Sequence, residues 1–262
     1  MTTVTTKKKL AVLGNGFLAG IIVEAYNKGL LEEYELTGIL GRTKEKTEAL
    51  AEKGGCRPCS TLEELLEDKP DYVAEAASVK AVQDYGMKIL SGGADMILLS
   101  IGALADETFY RKISECAKEN GRKIHIASGA IGGFDVLRTI SLMGQAQTSF
   151  RTKKGPKSLS GTPLFEESLM TDKEEKQVFH GSAKEAISIK VNVAIAASLA
   201  SSGPENVDMS IFSVPEMVGD DHKITAQIPG VKAELDIYSS TSAIAGWSVV
   251  AVLRNLVSPI VF

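Results

Sequence analysis

The chain has 262 residues, 44% of them hydrophobic and 24% charged, the balance of a soluble globular protein long enough for one large domain or two smaller ones. With 29 Lys and Arg against 33 Asp and Glu the formal charge is −4, which implies no broad basic surface and argues against a nucleic-acid binder held by phosphate contacts. No apolar run reaches the roughly 18 residues of a membrane-spanning helix, so no membrane partner is expected.

Basic residues at Lys7, Lys8 and Lys9 precede the apolar stretch Leu10-Ala-Val-Leu13, the opening order of a signal peptide. Gly14 cuts that stretch far short of the roughly 7–15 residues such a peptide needs, so it reads as a buried strand. A helix over 17–28, a strand over 35–40 and a helix over 43–54 follow. Further on come a strand at 70–75, a helix at 79–91, a strand at 95–99, a helix at 105–120 and a strand at 123–127. Strand and helix in strict alternation predict βαβ units and at least five parallel strands. Cys56, Cys59 and Cys116 are an odd set. No second Cys or His pair lies at zinc spacing from Cys56-Arg-Pro-Cys59, so reduced thiols in a cytoplasmic protein are expected and no metal site.

The texture changes after Gly129. A glycine turn at Ile131-Gly-Gly133 leads to helical patterns at 135–143, 182–187 and 194–201 and strand-like alternation at 208–215 and 222–238. The lysine-rich run Arg151 to Lys157 reads as a solvated loop. Residues 243–256 are apolar at helical spacing. The fold class expected is α/β: an N-terminal Rossmann-type doubly wound parallel sheet over 1–130, completed by a C-terminal helix within 243–262, and a second α+β domain over 131–242 for substrate and assembly.

Gly14-Asn-Gly16-Phe-Leu-Ala19 fits G-x-G-x-x-G/A, and it follows a strand and opens a helix, the context that gives the pattern meaning. Gly14 permits the tight turn, Gly16 lets backbone approach a pyrophosphate, and Phe17 and Leu18 begin the helix whose free N–H groups face the anion. At the end of the second strand an NAD-selective chain usually carries an acid for the ribose 2′-hydroxyl, whereas here the sequence is Leu40-Gly41-Arg42-Thr43-Lys44. Arg42 suits a 2′-phosphate, so NADP or NAD is the expected cofactor, with NADP preferred.

Three further segments, Glu75-Ala-Ala-Ser-Val-Lys-Ala-Val82, Ser100-Ile-Gly-Ala-Leu-Ala-Asp106 and Ser128-Gly-Ala-Ile-Gly-Gly-Phe-Asp135, together with Asn192-Val-Ala194 and Asp221-His-Lys-Ile224, resemble the L-aspartate dehydrogenase family. The resemblance runs from Gly14 to about Leu256. It implies a Rossmann domain followed by an α+β oligomerisation domain, commonly in a homodimer. It also implies oxidation of L-aspartate to iminoaspartate with NAD or NADP, a precursor for NAD biosynthesis that otherwise hydrolyses to oxaloacetate. Carried over by resemblance, Ala130 and Asn192 match cofactor-binding positions and His222 the active-site histidine. The chain departs from the family pattern at Tyr238-Ser-Ser-Thr-Ser-Ala243, which lacks the usual prolines, and at Ile187-Ser-Ile-Lys190, which lacks the proline expected there.

Oxidising an amine at Cα requires the neutral amine, and a histidine is the side chain suited to accept its proton near neutral pH. Of three histidines, His125 reads as a strand-end or core residue and His180 as a surface residue. His222 follows the turn Gly219-Asp-Asp221, where Asp220 or Asp221 is placed to orient the ring. Asn192 serves equally as a helix N-cap. Two rival readings stay open: a dehydrogenase for another amino acid or imine on the same scaffold, and a non-catalytic nucleotide-binding regulator.

Overall fold

The apolar run at the start of the chain is shielded on every side: Leu10, Ala11 and Val12 have no exposed surface, as a central strand covered on both faces requires. The computed structural model describes residues 6–186 and 192–262. Their contacts divide the chain into two compact units, the residues up to Gly129 together with Ala245–Phe262, and Ala130–Ile244.

In the first unit β1 (Lys8–Leu13), α1 (Phe17–Asn27), β2 (Tyr34–Leu40), α2 (Lys44–Gly54), β3 (Arg57–Cys59), α3 (Leu62–Glu67), β4 (Tyr72–Glu75), α4 (Val79–Ser91), β5 (Asp95–Leu98), α5 (Glu107–Glu119) and β6 (Ile124–Ile126) follow one another. Six parallel strands pair in the order β3-β2-β1-β4-β5-β6. The order reverses between β1 and β4, which is the switch point where a doubly wound sheet opens a crevice beyond its carboxyl ends. The parallel sheet expected from the alternation is present, with one strand more than the minimum counted.

That added strand, β3, contains Pro58 and pairs with β2 at the sheet edge, where a residue without an N–H costs no ladder bond. Cys56, Cys59 and Cys116 are free thiols, and burial first of all pushes those of Cys56 and Cys59 up, Cys56 to about 11. The predicted helix at 105–120 begins at Glu107 because the Asp106 side chain accepts from the Phe109 N–H and caps it, while residues 101–105 form a separate 3-10 turn. The chain's last helix, Ala243–Val257, buries Val249, Val250 and Leu253 in the same core as Leu10, Ile22 and Tyr34. The Leu253 carbonyl accepts from the buried Tyr34 hydroxyl at 2.6 Å. Three such buried side chains stabilise by about 1.5–3 kcal/mol each.

The second unit contains α6 (Phe134–Met143), β7 (Gln147–Lys154), α7 (Pro156–Leu159), β8 (Lys176–Ser182), α8 (Ala183–Ala186), α9 (Asn192–Leu199), β9 (Val207–Ser213), β10 (Asp220–Ile228) and β11 (Val231–Ser239), before the last helix, α10. Its described strands pair as β11-β10-β7-β9-β8, antiparallel except for β7 with β9. This corrects the sequence reading of Arg151 to Lys157 as a solvated loop: residues 151–154 belong to the central strand and 156–159 to a short helix. Thr148, Phe150 and Thr152 point to the buried face. Arg151 and Lys153 point to the other, where both bind Glu175, at 2.7 and 2.6 Å. The basic residues disguised a two-residue alternation. β8 also replaces the start of the helix expected at 182–187. Residue 187 lies outside the described residues.

Candidate active site

Where β1 ends, Gly14 has φ +136°, and a Cβ built on it would lie 2.4 Å from the carbonyl oxygen of Ala76 at the end of β4. No other residue type fits there, and the loop is thereby pressed against the switch point. Gly16 is exposed, with nothing within 4 Å of a Cβ position, and helix α1 starts from it with no side-chain cap and no acid in its first turn. The helix start therefore keeps N–H groups for an anion, and its macrodipole favours negative charge. Phe17 is largely exposed, Leu18 half-buried, and Ala19 fully buried against the sheet, the close packing that the third small residue of the fingerprint permits. This open cradle fits a dinucleotide pyrophosphate.

Beyond β2, Arg42 is exposed and makes no hydrogen bond or ion pair among the described residues. Gly14, Gly16 and Arg42 thus lie on the loops that follow the neighbouring strands β1 and β2 of the first unit, and Phe17 and Leu18 open α1. Ala130, half-buried, follows the turn at Gly129 and is the first residue of the second unit. Asn192 is the first residue of α9, and its side chain lies outside the described residues, as does Lys190.

One member of this region carried no role in the sequence reading. Glu75, at the end of β4, has no exposed surface, and its carboxylate accepts from the N–H groups of Ala77 at 2.8 Å, Leu99 at 3.2 Å and Ser100 at 2.8 Å and from the Ser100 hydroxyl at 2.7 Å. Burial pushes its carboxyl up, and the bonds from Ser100, Ala77 and Leu99 oppose that. One side chain thereby ties together the loops that follow β4 and β5. An acid at the end of an apolar strand was the signal available.

In the second unit His222 sits third in β10, 2% exposed, directly opposite Thr152 of β7. The Thr152 hydroxyl meets its Nδ1 at 2.6 Å, and the ring stacks on Phe150 with centroids 5.7 Å apart. Nε2 lies 4.0 Å from the Asp220 carboxylate, which is bound by the Lys154 ammonium. Burial first, then Lys154, push the imidazole down to about 4, against the opposing pull of Asp220, so at neutral pH the ring is neutral. Of the two candidates for orienting the ring, Asp220 is the one near it. Asp221 faces Asp236, Lys153 and Arg151 instead, and its carboxyl is pushed up by burial and by Asp236.

The other histidines lie elsewhere. His125 in β6 pairs with Asp95 at 3.3 Å, and His180 is exposed on β8 beside Ser210. Lys223, next to His222 in the chain, pairs with Glu234 at 3.4 Å.

Residues 135–256 match the family described as "Aspartate dehydrogenase, C-terminal", and residues 14–127 match "Homoserine dehydrogenase, NAD binding domain". The L-aspartate dehydrogenase of Methanococcus maripaludis strain C6 is 36% identical over 96% of this chain and 98% of its own length. The chain belongs to the L-aspartate dehydrogenase family. The L-aspartate dehydrogenase of Methanosarcina barkeri is 31% identical at the same coverage. The crystal structure of aspartate dehydrogenase from Thermotoga maritima superposes with a TM-score of 0.75 and 27% identity, covering 97% of this chain and 99% of that one. Membership makes the protein an NAD(P)-dependent oxidoreductase, and the Rossmann fold of the first unit is that of an NAD-binding domain. Among the described residues no helix is long and apolar enough to cross a membrane.

Proposed function

We propose that the protein is an L-aspartate dehydrogenase that takes NADP in preference to NAD and uses His222 as its proton acceptor. Near-full-length similarity to L-aspartate dehydrogenases is the observation that carries the substrate. The exposed Arg42, free of other partners among the described residues, carries the cofactor preference. Gly14 and Gly16 shape the cradle for the pyrophosphate, Phe17 and Leu18 start the helix that faces it, and Arg42 takes the 2′-phosphate by charge-assisted hydrogen bonds. Ala130 and Asn192 are assigned to the same cofactor by family resemblance. When bound, the nicotinamide supplies an acceptor for the electron pair of the substrate Cα–H bond.

His222 meets the need for a neutral substrate amine. With Nδ1–H donating to the Thr152 hydroxyl, the lone pair lies on Nε2, where it can accept a proton, although burial makes this ring a weaker base than an ordinary histidine. Lys154 and Asp220 fix the charge beside that nitrogen. The product is iminoaspartate, released to water or to a consuming reaction. The free thiols fit a reducing, cytoplasmic setting. A homodimer is the assembly proposed: Val136, Leu142 and Met143 of α6 are exposed apolar side chains that a second copy would cover, and sedimentation would return the mass of two chains.

Absorbance at 340 nm with L-aspartate and either NADP or NAD at mildly alkaline pH tests the reading, with glutamate, alanine and homoserine in parallel. Aspartate should give the largest rate. Arg42→Ala should raise KM for NADP about tenfold or more while KM for NAD changes less than about twofold, the loss of hydrogen bonds to a charged group. Equal changes for both cofactors would remove the 2′-phosphate assignment.

A further inference from the structure

Asn15 stands between the two glycines of the loop, at a position where the fingerprint imposes no residue type. Its side chain reaches toward the β2 end, where Nδ2 donates to the Thr43 carbonyl at 2.8 Å and to the Thr47 hydroxyl at 2.9 Å. Thr47 is 2% exposed, and its hydroxyl spends its single proton on the same Thr43 carbonyl at 3.0 Å, so it can only accept from Asn15. Both amide hydrogens are therefore committed. The carboxamide also lies flat against Gly41: a Cβ there would come within 2.3 Å of the Asn15 Cγ. Asn15 thus grips the chain on both sides of Arg42, by contact at Gly41 and by hydrogen bond at Thr43.

We infer that Asn15 is a specificity-determining residue of the dinucleotide site, because it latches the turn carrying Arg42 to the pyrophosphate loop and so holds the backbone from which the Arg42 side chain meets an arriving 2′-phosphate. The inference rests on the proposed role of Arg42. A turn anchored at both ends loses less freedom when the phosphate binds, which strengthens that contact selectively. Pyrophosphate contacts come from Gly16 and the α1 terminus, whose placement is set by Gly14 against Ala76 and does not pass through Thr43. Loss of the latch therefore weakens recognition of the 2′-phosphate and spares the rest of the dinucleotide.

Calorimetric titration of the purified protein with 2′,5′-ADP and with ADP, neither of which needs turnover, reads this directly. Asn15→Ala should weaken 2′,5′-ADP by roughly 5–10-fold and ADP by less than about twofold, the scale of one or two hydrogen bonds. Thr47→Val keeps a β-branched side chain and leaves the glycine loop untouched, yet removes one anchor, and should move the ratio in the same direction. Arg42→Ala, titrated alongside, separates the two ideas. If it lowers 2′,5′-ADP affinity while Asn15→Ala and Thr47→Val change neither ligand, or change both equally, the latch is overturned and Arg42 stands. Should Arg42→Ala leave 2′,5′-ADP unchanged, the 2′-phosphate reading falls and the latch with it.

Discussion

His222→Ala should lower the aspartate-dependent rate by roughly 10²–10⁴-fold, the usual contribution of a positioned acid–base group, while affinity for 2′,5′-ADP stays within about twofold of the parent. The separation is expected because the histidine belongs to the second unit's sheet and the glycine loop and Arg42 to the first. A rate within about threefold of the parent would remove His222 from the chemistry. Thr152→Val and Thr152→Ser refine the result. Valine keeps the shape and loses the 2.6 Å bond to Nδ1, so kcat should fall with little change in KM, and serine should restore most of it.

The same residue contributes to acid stability. Its pKa is depressed to about 4 from 6.5, so between those values the unfolded chain binds a proton that the folded chain refuses. Unfolding free energy therefore falls as pH falls through this window. The contribution is whole above about pH 6.5 and is lost by about pH 4, for a total of roughly 3 kcal/mol. Denaturant midpoints at pH 7 and pH 4 should show a smaller acid loss in His222→Gln than in the parent. An equal loss in both would mean the ring titrates near its ordinary value.

Glu75→Ala carries the largest expected stability cost. The substitution leaves the N–H groups of half-buried Leu99 and Ser100 and of exposed Ala77 without their acceptor, each at the low end of the about 1–3 kcal/mol that an orphaned donor costs because water reaches them, and it empties a fully buried site, offset in part by no longer burying a charge. A net loss of about 3 kcal/mol lowers Tm by roughly 6–12 °C for a unit of this size. Glu75→Gln should fall between, because its amide nitrogen would face N–H donors instead of accepting from them. Calorimetry measures both variants. A Tm within about 2 °C of the parent in Glu75→Ala would show that water replaces the carboxylate and that the two loops need no such tie. Since these loops follow β4 and β5 at the carboxyl edge of the sheet, KM for the dinucleotide should rise in both variants.

These predictions divide between what was legible in the residues and what was not. The alternation of buried strands with helices from Leu10 to about Ala127, the glycine loop and the missing acid before Arg42 are local patterns, each written within a few consecutive residues. Hydrophobic period and turn chemistry therefore sufficed to read them. The run Arg151 to Lys157 was misread for the converse reason. Its charges advertise solvent, whereas its place at the centre of a sheet depends on β9 and β10, strands distant in sequence. His222 was singled out by resemblance, but its partner Thr152 lies 70 residues away and is named only by strand register. Glu75 meets Ser100 across 25 residues and Asn15 meets Thr43 across 28, in each case because parallel pairing brings the carboxyl ends of neighbouring strands side by side. The sequence by itself determined which elements form and which loop suits a phosphate. Tertiary structure alone decided which side chains hold that loop, tie its neighbours and flank the histidine, because those contacts follow from strand order and register, which no short stretch of sequence encodes.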